Sequence, residues 1–453
     1  MSSAQPVSMR RAMGTGDVAL FLVACAVGLR WIATAAAAGP SSLVVWGLAF
    51  ASFFLPLAST VVTLTKRYPE EGGLYAWTRH AFGDRSAFIC GWMYWTSNLV
   101  YFPGLLYFSA GNALYIGGPS WLTLSDSPSY YVIASLCGLS LALGLNLLGL
   151  GLGKWLHNAG GVGSWAPVLL LVVMGGIAWA HFGSATPLDA ASLAPSSVGA
   201  KDLVFWSTIA FGFGGFEAAS LMSEEIRDPE RTIPRAIVVA GAIVTAVYVL
   251  GTLAVLVALP QHEVSSLQGL IQAIDATAVR IGWGWAGPVA ALLMTVGNIG
   301  GIGAWLASTA RLPFVAGVDR RLPPAFGRLH PRYGTPYVAL IVQAVGAALF
   351  VVLGQAGTDV RGAYDFLVGL GVISYFIPYL YMFATLLKLP AVPTGRRALA
   401  ALGLAVTAAS IVLAAMPPEG TADPALAVIK VVGSSVALVA VGLWIYLRAP
   451  RRD

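Results

Sequence analysis

Charged side chains are scarce in this chain. Lysine and arginine number 26 and aspartate and glutamate 20 among 453 residues, 10% together, where a soluble globular domain carries roughly 25%. A soluble fold of this length has too few charges here to cover its surface. Cysteine is nearly absent: Cys25, Cys90 and Cys137 each sit inside an apolar run, which excludes a disulfide scaffold. The five histidines are scattered, and no HExxH, cysteine cluster, phosphate loop or nucleophile elbow occurs. Catalysis, metal binding and cofactor chemistry therefore have no anchor. The net charge of +6 is spread over loops rather than gathered in a stripe, so nucleic acid is not an expected partner. Apolar residues are what abound, at 57% with a mean hydropathy of +0.77, which excludes disorder as well. A polytopic α-helical membrane protein remains, with the lipid bilayer as its surroundings.

Long stretches lack Asp, Glu, Lys and Arg altogether, among them 31–65, 86–125, 155–188, 281–310 and 333–358. A helix needs roughly 20 apolar residues to cross the hydrocarbon core, and a barrel strand only about 10, so the runs are helical. The run 31–65 exceeds one span and is broken by Gly39-Pro40-Ser41-Ser42, a turn signal. Twelve spans are expected, over 17–38, 43–65, 86–116, 129–150, 158–182, 202–226, 234–260, 284–314, 336–354, 363–388, 398–417 and 424–447. The start does not read as a cleaved signal peptide, because its apolar sequence runs past a signal's apolar region. Sorting the basic residues places most of them on one side, with only Lys201, Arg280 and Arg361 opposite and Arg30 and Lys430 inside spans. The positive-inside rule then expects both termini in the cytoplasm and a multi-pass protein of the inner cell membrane.

Two spans resist being continuous helices. Span 1 carries Gly28 beside Arg30, and an arginine at the bilayer centre costs at least roughly 2.5–3.5 kcal/mol, so it must face a partner or water. A binding site or gate is one reading, and a buried ion pair that only fixes packing is the other. Span 6 reads Phe211-Gly212-Phe213-Gly214-Gly215-Phe216-Glu217, and each glycine costs a helix centre roughly 1 kcal/mol against alanine. Close packing of small residues would account for it. An unwound segment would instead free backbone groups for a ligand. Breaks in spans 1 and 6 are the correspondence expected of inverted repeats, spans 1–5 and 6–10, around a midplane site. The chain then divides into a tail 1–16, a core 17–388 with repeats near 17–182 and 202–388, two added helices within 398–447 and a tail 448–453.

Four segments carry a family resemblance: RYPEEGGLYAWTRHAFG from Arg67, the span 6 core GFGGFEAAS, RDPERTIPRA from Arg227, and RLPFVAGVDRRLP from Arg311 with HPRYGTP ending at Pro336. In this order they resemble the amino acid–polyamine–organocation transporters over roughly residues 15–390. The resemblance implies an all-α LeuT-type fold of five-plus-five inverted repeats with discontinuous helices 1 and 6, two further helices, alternating access, and an amino acid or related amine as substrate. Many members hold the substrate carboxylate on a Gly-Ser-Gly-like stretch of span 1. Here that stretch reads Val27-Gly28-Leu29, followed by Arg30 and Trp31, so Arg30 is a candidate carboxylate ligand. Some proton-coupled members carry a lysine in span 5, where this chain shows Pro167 and no Lys or Arg from 155 to 200.

Glu217 is the first candidate for a coupling acid, since a carboxyl at membrane depth can load and release a proton; the competing role is a static partner for Arg30. Asp365, near the outer start of span 10, is a candidate gate partner of Arg30 or else a solvated helix start. Ser308 and Thr309 stand where Na⁺-dependent relatives of the fold place hydroxyl ligands, although such residues commonly bond their own helix carbonyls. Trp31, Tyr94, Trp95, Tyr101, Phe211, Phe213, Trp305 and Tyr375 are the candidate cavity aromatics, able to pack an apolar side chain or stack on a cation. Tyr94 and Phe211 match pocket positions of the family, and Gly214 and Gly215 complete the expected binding set. Glu70-Glu71 and Glu224-Glu225, beside Arg67, Arg227 and Arg231, read as structural or inner-gate ion pairs. Arg30 and Glu217 sum to zero charge, which suits a zwitterion. The expected activity is therefore a secondary transporter of neutral amino acids, by symport with a proton in preference to Na⁺ or by exchange, as a monomer or homodimer. The alternatives are a polyamine or acidic amino acid carrier and a non-transporting amino acid receptor. An enzyme is not expected.

Overall fold

The computed structural model describes residues 11–194, 200–265, 268–318, 321–354, 360–416 and 424–448. Its longer helices, in chain order, are α1 (Thr15–Ala26), α2 (Leu29–Ala38), α3 (Ser42–Arg67), α4 (Leu74–Ala113), α5 (Pro128–Leu147), α6 (Leu150–Phe182), α7 (Ala200–Phe211), α8 (Pro229–Ala258), α9 (Gly269–Ile281), α10 (Ala286–Thr309), α11 (Arg311–Val318), α12 (Tyr337–Gly354), α13 (Val360–Lys388), α14 (Thr394–Ala414) and α15 (Pro424–Arg448). Among the described residues, eight helices are long and apolar enough to cross a membrane, and nine if α1 and α2 form one bent span. Helices α12, α15 and α7 with the 3₁₀ segment Ala218–Glu225 stand where spans 9, 12 and 6 are expected. Large apolar side chains such as Val238, Ile133 and Val412 face outward, an arrangement suited to a hydrocarbon surrounding.

Three local features shape the helices. Gly83, at φ 79°, ψ 178°, turns the chain inside α4, so the motif helix from Leu74 is set apart from the span that follows. A π-helical turn over Phe50–Phe54 interrupts α3. The α1–α2 pair bends by 46° at Val27-Gly28. Around that bend, α1 packs on α6, α8 and α10, while α4 packs on α13.

Glycine lets α1, α6 and α10 meet backbone to backbone. A Cβ added at Gly160 would stand 2.7 Å from Gly300 Cα, and one at Gly161 would stand 2.7 Å from the Leu20 carbonyl oxygen. One at Gly301 would stand 2.8 Å from the Ala24 carbonyl oxygen. These approaches hold the first half of the broken pair against a rigid α6–α10 wall. Gly160→Val is expected to force that wall apart at a cost of about 1–3 kcal/mol, read as a lowered unfolding midpoint of the purified protein. Gly176→Val, where an added Cβ meets nothing within 4 Å, is the control that should leave the midpoint in place.

Candidate functional site

The site begins with the backbone groups that two broken helices release. Val27 (φ −72°, ψ 104°) and Gly28 (φ −99°, ψ 98°) are extended between α1 and α2. Between α7 and the 3₁₀ segment, residues Gly212–Glu217 form turns. In hydrocarbon each freed N–H or C=O needs a partner inside the protein. The Tyr248 hydroxyl of α8 supplies three: it accepts from the Gly28 N–H at 3.0 Å and lies 2.7 Å from the Ala26 carbonyl and 2.8 Å from the Gly212 carbonyl. One phenol thus ties both breaks together. Its ring is stacked on Trp46 at 4.2 Å, whose indole N–H donates to Thr252 Oγ1 at 3.0 Å. The Trp305 indole N–H donates to the Cys25 carbonyl at 3.0 Å.

Glu217 forms the floor between these breaks. The Tyr375 and Tyr379 hydroxyls donate to its two oxygens at 2.6 Å each, the Tyr94 hydroxyl donates to the first, and the Gly215 N–H donates to the second at 3.2 Å. The carboxyl is wholly buried and every one of these neighbours is a donor, so it is held as an acceptor by hydroxyls and an amide. Gly215 makes the geometry possible: it sits at φ 110°, and an added Cβ would stand 3.3 Å from Ala26 Cα. The two breaks touch there.

Above the floor is a chamber lined by Trp31, Tyr101, Phe211, Trp305 and Tyr375, with Ser97 and Asn98 as its polar side chains. All its lining residues are uncharged. Its volume is about 20 Å³, room for roughly one water. The rings close it: Trp31 meets Phe211 edge-on at 5.6 Å, and Phe211 meets Tyr375 at 5.3 Å. The Arg30 guanidinium lies 4.3 Å from the Trp31 ring centre and 4.9 Å from that of Tyr101. The sequence left Arg30 as one possible partner of Glu217; the partners seen on Glu217 are the hydroxyls of Tyr94, Tyr375 and Tyr379.

Of the expected site residues, the structure brings together Trp31, Tyr94, Phe211, Gly214, Gly215 and Glu217, with Val27, Gly28 and Leu29 at the break above them. Phe213 is not part of the chamber lining; it points into packing against Trp46, Phe54 and Tyr248. Trp95 lines a separate small cavity with Tyr75 and Phe88. Thr309 donates to the Trp305 carbonyl at 2.6 Å and accepts from Gln343, the ordinary helix role. Ser308 Oγ is buried without a hydrogen-bond partner among the described residues. Asp365 lies on α13, and its side chain falls outside the described residues.

A second barrier lies toward the basic loops. Arg311, buried where α10 ends, bonds Glu225 through Nε at 3.1 Å and Nη2 at 2.5 Å, and its Nε stands 4.0 Å from Glu71. Glu71 accepts the Glu224 N–H at 2.9 Å. The expected partners Arg67, Arg227 and Arg231 are thus replaced by an arginine from span 8, while Glu70 pairs with Arg79 and His80. The segment before α1 is stitched to this cluster: the Ala12 N–H donates to the Glu225 carbonyl at 2.9 Å and the Arg227 N–H to the Met13 carbonyl at 3.0 Å. Burial, and then the neighbouring Glu225 carboxylate, push the Glu71 carboxyl well above its ordinary range. Burial raises the Glu225 carboxyl too, with Arg311 opposing it, so two carboxylates compete for one guanidinium.

Tyr248, Tyr379 and Arg311 escaped the sequence reading. The only signals were a lone tyrosine inside an apolar span, whose hydroxyl must find a partner, and Tyr379 one helical turn beyond Tyr375.

Known proteins share this architecture. The amino acid permease family model matches residues 12–446. An uncharacterized transporter of Legionella pneumophila is 28% identical over 366 residues, covering 80% of this chain and 77% of its own length. A protein of Lactococcus lactis named as a probable agmatine/putrescine antiporter is 25% identical over 369 residues, covering 79% and 75%. The solved structure of MhsT in complex with L-phenylalanine superposes with a TM-score of 0.63 at 14% identity, over 89% of this chain and 98% of that one. The likeness shows the LeuT-type fold.

Tyr248→Phe is expected to orphan the groups at both breaks and cost about 1–3 kcal/mol, read as a lower unfolding midpoint. The raised Glu71 predicts a pH slope. The folded state holds this proton when the unfolded state has lost it, so its contribution is full below the ordinary carboxylate range and is lost as pH rises through the raised value. Unfolding midpoints followed upward from about pH 5 should fall in the native protein, and more shallowly in Glu71→Gln.

Proposed function

The chain belongs to the amino acid permease family of the amino acid–polyamine–organocation superfamily, and on that premise we propose that this transporter carries neutral, zwitterionic amino acids by alternating access, with proton symport or exchange. The observation that carries the reading is the uncharged chamber between the two helix breaks. The first turn of α2 directs its N–H groups toward the break, and a helix start favours an anionic group such as a carboxylate. Trp31, Phe211 and Trp305 offer a surface to an apolar side chain. A dication would need carboxylates in the lining, and Glu217 lies one layer below, covered by tyrosine hydroxyls. The basic face is read as cytoplasmic by the positive-inside rule, in the inner cell membrane.

In this cycle Arg30 with the ring layer closes the outer side of the chamber. The Tyr94–Glu217–Tyr375 layer and then the Arg311 cluster close the inner side. Substrate must displace Trp31, Phe211 or Tyr101, because a volume of about 20 Å³ is far below the roughly 300 Å³ or more of a ligand pocket. Glu217 is the group that loads or passes the coupling proton, since it can trade its tyrosine donors for a proton of its own.

A second reading has one observation in its favour: five aromatic rings line the chamber, and aromatic faces attract cations, as a polyamine or its precursor would exploit. Uptake into proteoliposomes separates the two. Saturable uptake of labelled neutral amino acids, raised by an inward proton gradient, is the expected result. Glu217→Gln should lower it about tenfold or more, the loss of a charge-assisted hydrogen-bond acceptor. Uptake of putrescine with none of amino acids would overturn the zwitterion reading.

A further inference from the structure

On the basic face a second, far larger cavity of about 520 Å³ opens beside the Arg311 cluster. Five cationic residues line it from five separate stretches: Arg11 before α1, Lys154 on α6, Arg227 after the 3₁₀ segment, Arg311 after α10 and Arg332 before α12. The one carboxylate on the wall is Glu225, and Arg311 already takes it. Lys154 stands 3.9 Å from Asp17. Among the described residues, neither Arg11 nor Arg227 has a carboxylate within 4 Å, and Arg332 rests on the Tyr333 ring at 5.4 Å. Among the described residues, three guanidinium groups are therefore in excess around one hollow.

The rule that keeps basic loops on one side of a membrane asks only for their number near the span ends. It does not ask that loops from opposite ends of the chain converge on a concavity. Like charges repel across such a hollow unless an anion sits between them, and concave walls focus their field on it. Guanidinium forks match the paired oxygens of phosphate and carboxylate. The size lies in the range of ligand pockets, roughly 300–1,000 Å³.

We propose that this vestibule binds a phosphate- or carboxylate-bearing anion, which bridges Arg11 and Arg227 on one wall to Arg332 on the other and so holds the basic face closed. Arg11 and Arg227 ride on the paired stretches Ala12–Met13 and Glu225–Arg227, which join α1 to span 6. Arg332 belongs to the loop that enters α12. An anion touching both walls binds the closed face better than an open one, and so shifts the equilibrium toward closure. The locking consequence rests on the alternating-access reading; the binding itself does not.

The test starts with binding. Unfolding midpoints of the purified full-length protein are measured with inorganic phosphate and with chloride at equal ionic strength, and again in nanodiscs of phosphatidylcholine with and without phosphatidylglycerol. A saturable rise of several degrees with phosphate supports the site. A rise with phosphatidylglycerol alone supports the same chemistry with a lipid headgroup as its source. Either rise should vanish in the double variant Arg227→Ala/Arg332→Ala and shrink in Arg332→Gln, whose exposed side chain leaves the fold intact. No rise from either anion, or a rise that survives in the double variant, overturns the proposal. Phosphate placed on the vestibule side of proteoliposomes should then slow transport severalfold in the native protein and not in the double variant. An equal rate would remove the lock and leave the binding site standing.

Discussion

The structure turns on a debt that any helix broken inside a bilayer incurs: its freed N–H and C=O groups meet no water. Tyr248 answers this for both breaks with one hydroxyl, within hydrogen-bond distance of Ala26, Gly28 and Gly212. A phenol has a single proton, so it donates to one carbonyl at a time while accepting from Gly28. The two breaks are thus held by a shared, exchangeable bond rather than by two fixed ones. The stack on Trp46 holds the phenol in place, and Trp305 secures Cys25 from the other side. These partners hold the two broken ends together in register beside the chamber.

The chamber lies between two charges that do not meet. Tyr94 and Tyr101 are seven residues apart on α4, about 10 Å along its axis, and they mark the levels of Glu217 and Arg30 respectively. On the proposed reading, keeping both groups just outside an uncharged lining suits a ligand that carries one charge of each sign. It also gives the two closures different chemistry. On the transport reading, the closure on the Arg30 side is aromatic rings and a guanidinium. The closure on the Glu217 side is a fully hydrogen-bonded carboxylate followed by a buried ion cluster, where removing a single partner costs about 3–5 kcal/mol. A buried cluster of that kind is poor evidence of stability and better suited to a switch.

The sequence made the breaks legible, because glycine beside charge at membrane depth is poorly suited to a continuous helix. Gly28, the Gly212–Gly215 cluster and Glu217 were all found this way. Side-chain direction beyond a break was not legible. Phe211 and Phe213 stand on either side of Gly212, and once helical phase is lost nothing local says which ring faces the chamber; Phe211 does and Phe213 does not. Partners far apart in sequence were equally hidden. Arg311 meets Glu225 across 86 residues, whereas Arg231, close to it in sequence, pairs with Asp228. Tyr248 gave only the sign of an isolated hydroxyl in an apolar helix.

The segment between the two inner closures has an unusual form. Ala218–Glu225 runs as short 3₁₀ turns on either side of a kink at Met222 (φ −118°, ψ 30°), in keeping with a helix type that seldom exceeds three or four residues. Glu217 stands just before the first turn and Glu225 at the end of the last. One short, kinked segment therefore carries both the carboxylate under the chamber and the carboxylate that pairs with Arg311. The Ala12–Met13 stretch is bonded to its far end. On the transport reading, a ligand that draws the tyrosines from Glu217 acts on the first turn of this segment, so the two inner closures share one stretch of backbone.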